Sequence, residues 1–199
     1  MNVSDWIATN WIEIFGALSG IIYVFLEIRQ NIWLWPVGIV TSAVYIVVFF
    51  ASKFYADMSL QGYYLVISCI GWHWWVKGTG HRAQGAESGG LQVTRLKPLT
   101  GLVLVVVFIF SYSGIWFILS RFTDSPVPGW DSFITSLSVI ATWMLARKIY
   151  EHWYLWIVVN AASVMIFVVR GLYPTVILYA VYLVMSFTGL KVWKRSISA

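Results

Sequence analysis

Charge is the scarcest resource in this sequence. Only 11% of its 199 residues are Asp, Glu, Lys or Arg, against 60% hydrophobic. A soluble domain carries roughly 25% charged residues, and a fold with so thin a polar skin needs lipid as its solvent. Cysteine is almost missing too. The one residue, Cys69, excludes an intrachain disulfide and a Cys-rich metal site. The three histidines, His73, His81 and His152, are far apart and close to loops, so neither a metal site nor a cofactor is expected. Met1 to Thr9 holds no basic residue and includes Asp5, which is unlike a signal peptide, so the first helix is expected to be retained.

What the chain does have is long apolar runs. A spanning helix needs about 20 mostly apolar residues, and seven such stretches occur, near 11–28, 32–50, 56–76, 98–119, 131–149, 153–170 and 173–194. The run from Leu99 to Leu119 carries no charge. The others contain Gly, Ser, Thr, Asn, Gln and Tyr, which are costly against lipid and useful inside a bundle. The expectation is an all-α membrane protein with seven transmembrane helices. Of the 13 basic residues, Lys53, Arg121 and Arg170 fall on one side of those spans and the other ten, from Arg29 to Arg195, on the opposite side. Cytoplasmic loops collect Lys and Arg, so the N-terminus is expected outside and the C-terminus in the cytoplasm. The formal charge of +5 is thus a topology signal and not a nucleic-acid footprint. The stretch 77–97, rich in Gly and polar residues, reads as a flexible cytoplasmic linker.

The chain repeats itself. At an offset of 118, Tyr55 matches Tyr173, Leu60 Leu178, Tyr64 Tyr182, Ser68 Ser186, Gly71 Gly189 and Trp75 Trp193. Upstream the offset is expected to become 121, with Trp35 matching Trp156 and Ser42 matching Ser163. Earlier still, Leu18-Ser19 matches Leu137-Ser138, and Leu26 matches Leu145. The organisation that follows is a first three-helix repeat over 1–76, the linker 77–97, a connecting helix over 98–119 and a second three-helix repeat over 131–195. A 3+1+3 arrangement of parallel repeats is the plan of SWEET-type transporters, whose solute sits near the midplane between the repeats.

Helical spacing groups the candidate ligand contacts by face. The second helix presents Trp35, Ser42 and Tyr45, and the third presents Gln61, Tyr64 and Ser68. The sixth presents Trp153, Trp156, Asn160 and Ser163, and the seventh Tyr179 and Tyr182. Aromatic faces attract a flat or cationic ring, and amides both donate and accept. Asn160 and Gln61 are the strongest of these candidates, because a mid-membrane amide needs a partner. Trp33, Trp75 and Trp193 lie at helix ends and read as membrane-interface anchors. Intramembrane acids are few. Glu13 and Glu27 lie towards the two ends of the first helix, and neither is an obvious midplane proton carrier. With no clustered acids, His or metal ligands, an enzyme is disfavoured, and saturable counterflow would separate a carrier from a channel.

Ordered motifs in both halves carry a resemblance. Trp33-Leu34-Trp35-Pro36-Val37-Gly38 opens the second helix, and Phe54-Tyr55-Ala56-Asp57, Leu60-Gln61, Tyr63-Tyr64, Gly71-Trp72 and Trp74-Trp75 mark the third. In the second half Asp131 precedes Arg147-Lys148, and Trp153 and Trp156 precede Asn160. From Trp11 to Trp193 the chain resembles the PnuC family of bacterial vitamin transporters. The resemblance implies a SWEET-like fold, an inner-membrane location and facilitated diffusion of a small cationic heteroaromatic vitamin. It also implies trapping by a cytoplasmic vitamin kinase, and homotrimers. The Gln-x-Tyr-Tyr stretch at Gln61 looks more like the thiamine (PnuT) branch, so thiamine is the expected solute, with nicotinamide riboside the alternative.

Overall fold

A computed structural model describes residues 3–53, 55–77, 91–123 and 125–197. Phe54, His81, Arg82 and most of the expected linker 77–97, namely 78–90, lie outside the described residues. Seven helices follow one another: α1 (Val3–Ile28), α2 (Leu34–Ala51), α3 (Tyr55–Lys77), α4 (Pro98–Phe122), α5 (Pro128–Ala146), α6 (His152–Val169) and α7 (Tyr173–Ile197). Prolines sit in the first turns of α4 and α5, where a missing N–H costs nothing. Five helices, α1, α2, α4, α6 and α7, are long and apolar enough to cross a bilayer. The two that fall short, α3 and α5, carry more polar residues. In α5 these include Ser132, Ser136, Ser138 and Thr142, all buried against protein.

The chain divides into two compact units, Met1–Gly90 and Leu91–Ala199. In the first, α2 packs on both α1 and α3. In the second, α5 packs on α4 and α6, and α6 packs on α7. The fourth helix is therefore a member of the second unit and not a free connector. Its Leu104 and Phe108 lie against a buried cluster of Ile140, Met144 and Ile149, and the Phe108 ring stands edge-on to Phe133 at 5.9 Å.

One three-helix skeleton recurs in the two units at a constant spacing. The helices α2 and α6 are both 18 residues long and begin 118 residues apart, as do α3 and α7. The ends of α1 and α5 are also 118 apart. So are the left-handed residues that stop these helices: Gln30 (φ 52°) with Lys148 (φ 49°), and Lys53 (φ 61°) with Gly171 (φ 71°). Gln30 donates to the Glu27 carbonyl and Asn31 to that of Leu26. Lys148 and Ile149 repeat the pattern onto Leu145 and Met144. This is the Schellman ending, in which a left-handed residue lets two terminal carbonyls be satisfied.

The expected change of offset to 121 is therefore corrected. Trp35 corresponds to Trp153 and Ser42 to Asn160. The Trp35–Trp156 and Ser42–Ser163 matches, and those of Leu18-Ser19 with Leu137-Ser138 and Leu26 with Leu145 at 119, are coincidences in a sequence rich in these residue types.

Candidate functional site

Each unit contains a tryptophan seated on a glycine. In the first, the fully buried Trp35 ring lies against Gly71 and stands edge-on to Trp75, centroids 5.4 Å apart at 88°. In the second, the fully buried Trp153 lies against Gly189 and stands edge-on to Trp193 at 5.9 Å and 79°. A Cβ at either glycine would enter the indole ring, so only glycine lets α2 meet α3, and α6 meet α7, this closely. Trp75 and Trp193 are thus not interface anchors. They are 5% and 0% exposed, because a helix-end position faces protein when a neighbouring helix extends alongside it. Trp33, at 65% exposure, fits the anchor reading.

Around this core the first unit places Ser42 and Ser68, both buried. Gly38 of α2 allows a second close approach, since a Cβ there would sit 2.9 Å from Ser68 Oγ and 3.1 Å from the Tyr23 ring. Tyr63 and Tyr64 stand edge-on to each other at 5.5 Å, and Gln61 and Tyr64 are half-buried. Tyr45 points elsewhere. Its ring stacks on Phe49, its phenol lies over Gly16, and the hydroxyl donates to the Ile12 carbonyl at 3.4 Å, a long bond that ties α2 to α1.

The second unit assembles more of the expected residues. The buried Asn160 amide donates from Nδ2 to Ser186 Oγ at 3.1 Å, and Ser186 donates to the Tyr182 carbonyl at 2.8 Å. Tyr182 stands edge-on to Tyr179 at 5.7 Å, and Tyr179 packs on Phe167 at 5.2 Å. Ser163 is buried and Trp156 half-buried, with its indole nitrogen enclosed. The Nε1 groups of Trp35, Trp153 and Trp156 are buried with no hydrogen-bond partner among the described residues. A buried donor without an acceptor costs about 1–3 kcal/mol.

Ser186, which helical spacing puts on the same α7 face as Tyr179 and Tyr182, is the partner of Asn160. Two features escaped sequence reasoning. His152 is fully buried between Trp153 and Trp193, with ring centroids 4.7 Å from each; its Nδ1 lies 2.6 Å from the Ile149 carbonyl and donates to it. Glu27 is 2% exposed, although the sequence placed it simply near a helix end. The i, i+4 spacing of Tyr23 and Glu27 was the signal available for a buried polar stripe there.

Seven helices among the described residues, most of membrane-crossing length and composition, with polar groups buried among aromatic rings, define a multi-pass membrane protein. A family model described as nicotinamide mononucleotide transporter matches residues 10–195, and the chain belongs to that family. It is 25% identical to the nicotinamide riboside transporter PnuC of Escherichia coli K12, over 94% of this chain and 86% of that protein. It is 23% identical to the riboflavin/roseoflavin transporter RibM of Streptomyces davaonensis, over 92% and 84% respectively. A crystal structure of the vitamin B3 transporter PnuC superposes with a TM-score of 0.72 at 23% identity, covering 95% of this chain and 83% of that one. The protein is accordingly a vitamin-type transporter and not an enzyme. None of these relatives is named for thiamine, so the lean towards thiamine gains no support.

Proposed function

We propose that this protein carries nicotinamide riboside across the bacterial inner membrane by facilitated diffusion, with Trp153, Trp156 and Asn160 among its ligand contacts. The reading rests on one observation above all: buried indole N–H groups without acceptors lie on the same helix as a buried amide. Nicotinamide riboside offers a permanently cationic ring for aromatic faces, a carboxamide that accepts from an N–H, and ribose hydroxyls that pair with amide and serine groups. Trp35, Ser42, Gln61, Tyr64, Ser68, Ser163, Tyr179 and Tyr182 are the remaining candidate contacts. Tyr45 has the weakest case, because its hydroxyl is committed to α1.

Facilitated diffusion fits the position of Glu27, which is buried at the penultimate residue of α1 and not at its middle. A proton relay needs acids spaced through the membrane. Uptake is then driven by a cytoplasmic kinase that phosphorylates the riboside, with the basic end of the protein facing that kinase; a homotrimer is the assembly the family resemblance implies.

Titration of the purified protein with nicotinamide riboside, thiamine and riboflavin, followed by tryptophan fluorescence, tests the solute. Saturable quenching by the riboside alone is expected. Quenching by thiamine or riboflavin but not the riboside contradicts the assignment. Unchanged riboside affinity in both Trp156→Phe and Asn160→Ala removes the proposed contacts.

A further inference from the structure

The second unit has one strongly basic end. Residues 91–97, just before α4, are strapped onto the turn between α5 and α6. Thr94 N–H donates to the Lys148 carbonyl at 2.9 Å, Tyr150 N–H donates to the Thr94 carbonyl at 2.9 Å, and Leu96 N–H donates to Glu151 Oε2 at 2.8 Å. These contacts use only backbone groups of the strap and leave the Arg95 and Lys97 side chains exposed. They also seat the strap on the α5–α6 turn, which carries Lys148 and Arg147, whose guanidinium lies 5.6 Å over the Trp143 ring. Trp193 packs on His152, which brings the exposed Lys194 and Arg195 of the last α7 turn to the same end. The acid there, Glu151, already accepts a backbone N–H. The opposite end of the unit is balanced instead, with Arg170 4.0 Å from Asp131.

Immediately after the strap, α4 begins at Pro98 with no side-chain cap. It buries no residue along its 25-residue length. Its first turns expose Leu99, Leu102 and Val103, at 74%, 63% and 53%. Fixed cations above an apolar wall match an anionic phospholipid, with phosphate at the strap and acyl chains along α4.

We infer that Arg95 and Lys97, with Lys148 beside them, form a binding site for one anionic phospholipid at the start of α4. Lys148 is half-buried, and desolvation lowers its ammonium below the ordinary lysine range.

The test is native mass spectrometry of the purified full chain, titrated with phosphatidylglycerol or phosphatidylcholine. The wild type is expected to retain phosphatidylglycerol preferentially. The double variant R95Q/K97Q is expected to lose that preference, by roughly fivefold per charge removed. K53Q/R121Q, which removes Lys53 just after α2 and Arg121 in the last turn of α4, is expected to keep it. The strap is held by backbone contacts, so R95Q/K97Q should melt like the wild type. Equal retention of phosphatidylglycerol by wild type and R95Q/K97Q overturns the site, as does an equal loss in K53Q/R121Q. Displacement of the lipid by millimolar inorganic phosphate assigns the cations to a free oxyanion and overturns the lipid reading.

Discussion

Where the first unit has Tyr23, Gly38 and Ser42, the second, 118 residues further on, has Ala141, Trp156 and Asn160. Where the first has Glu27 and Leu34, the second has Leu145 and His152, and all four are buried. The 118-residue spacing of helix boundaries, the left-handed stops and the tryptophan-on-glycine contact stay constant, while the polar groups do not. The skeleton is thus specified by a few packing residues, and the chemistry is placed on it separately in each unit. The amide, an additional buried indole nitrogen and the hydrogen-bonded serine are in the second unit, which is why its residues head the proposed contacts.

The largest effects should come from the residues that are the same in both units. Gly71→Ala and Gly189→Ala each drive a methyl into a buried indole, and each should lower stability by about 1–3 kcal/mol in thermal melts. Gly62→Ala and Gly114→Ala, which meet nothing within 4 Å, should leave the melt unchanged or slightly raised. A large loss at only one of Gly71 and Gly189 would break the equivalence of the two contacts.

The next effect should separate the units. Asn160→Ala should weaken riboside binding about tenfold, the equivalent of one hydrogen bond, and its counterpart Ser42→Ala by well under that. Equal losses would place the ligand chemistry evenly in both units. Tyr45→Phe is smaller again. It removes a 3.4 Å bond worth at most about 0.5 kcal/mol and should leave riboside affinity intact.

The smallest effect is one of pH. Burial disfavours the Lys148 ammonium in the folded protein, so the unfolded chain binds that proton more tightly. Unfolding then takes up a proton between the lowered folded value and the ordinary lysine value of 10.5, and stability from this group rises as pH rises through that window. Melts of wild type and Lys148→Gln should converge as pH climbs towards that upper limit. A gap that widens with pH would contradict it.

Much of the fold was legible because hydrophobic runs and punctuation agree. The expected spans 32–50, 56–76 and 153–170 lie within two residues of α2, α3 and α6. The span 131–149 overshot, because Arg147 and Lys148 look like the tail of a helix, yet Lys148 takes the left-handed conformation that ends it. The strap at Thr94 was invisible, since a single bridge between distant residues leaves no periodic trace.

At the site, residue types were legible and pairings were not. Asn160 stood out as an amide needing a partner, but nothing local points to Ser186, which lies on another helix. Trp75 and Trp193 were misread because position along a helix does not say which side a neighbour covers. The register of α2 against α6 was misplaced by three residues, because identical residue types outweighed identical packing.

The central claim is that this chain is a saturable carrier of nicotinamide riboside. Counterflow tests it most directly. Liposomes containing the purified protein are loaded with unlabelled riboside and diluted into a trace of labelled riboside with no ion or pH gradient. The account predicts transient, saturable accumulation of label inside, abolished when the internal riboside is omitted and unaffected by unlabelled thiamine outside. Simple equilibration without overshoot would make the protein a channel, and overshoot with thiamine but not with riboside would assign it to a different vitamin.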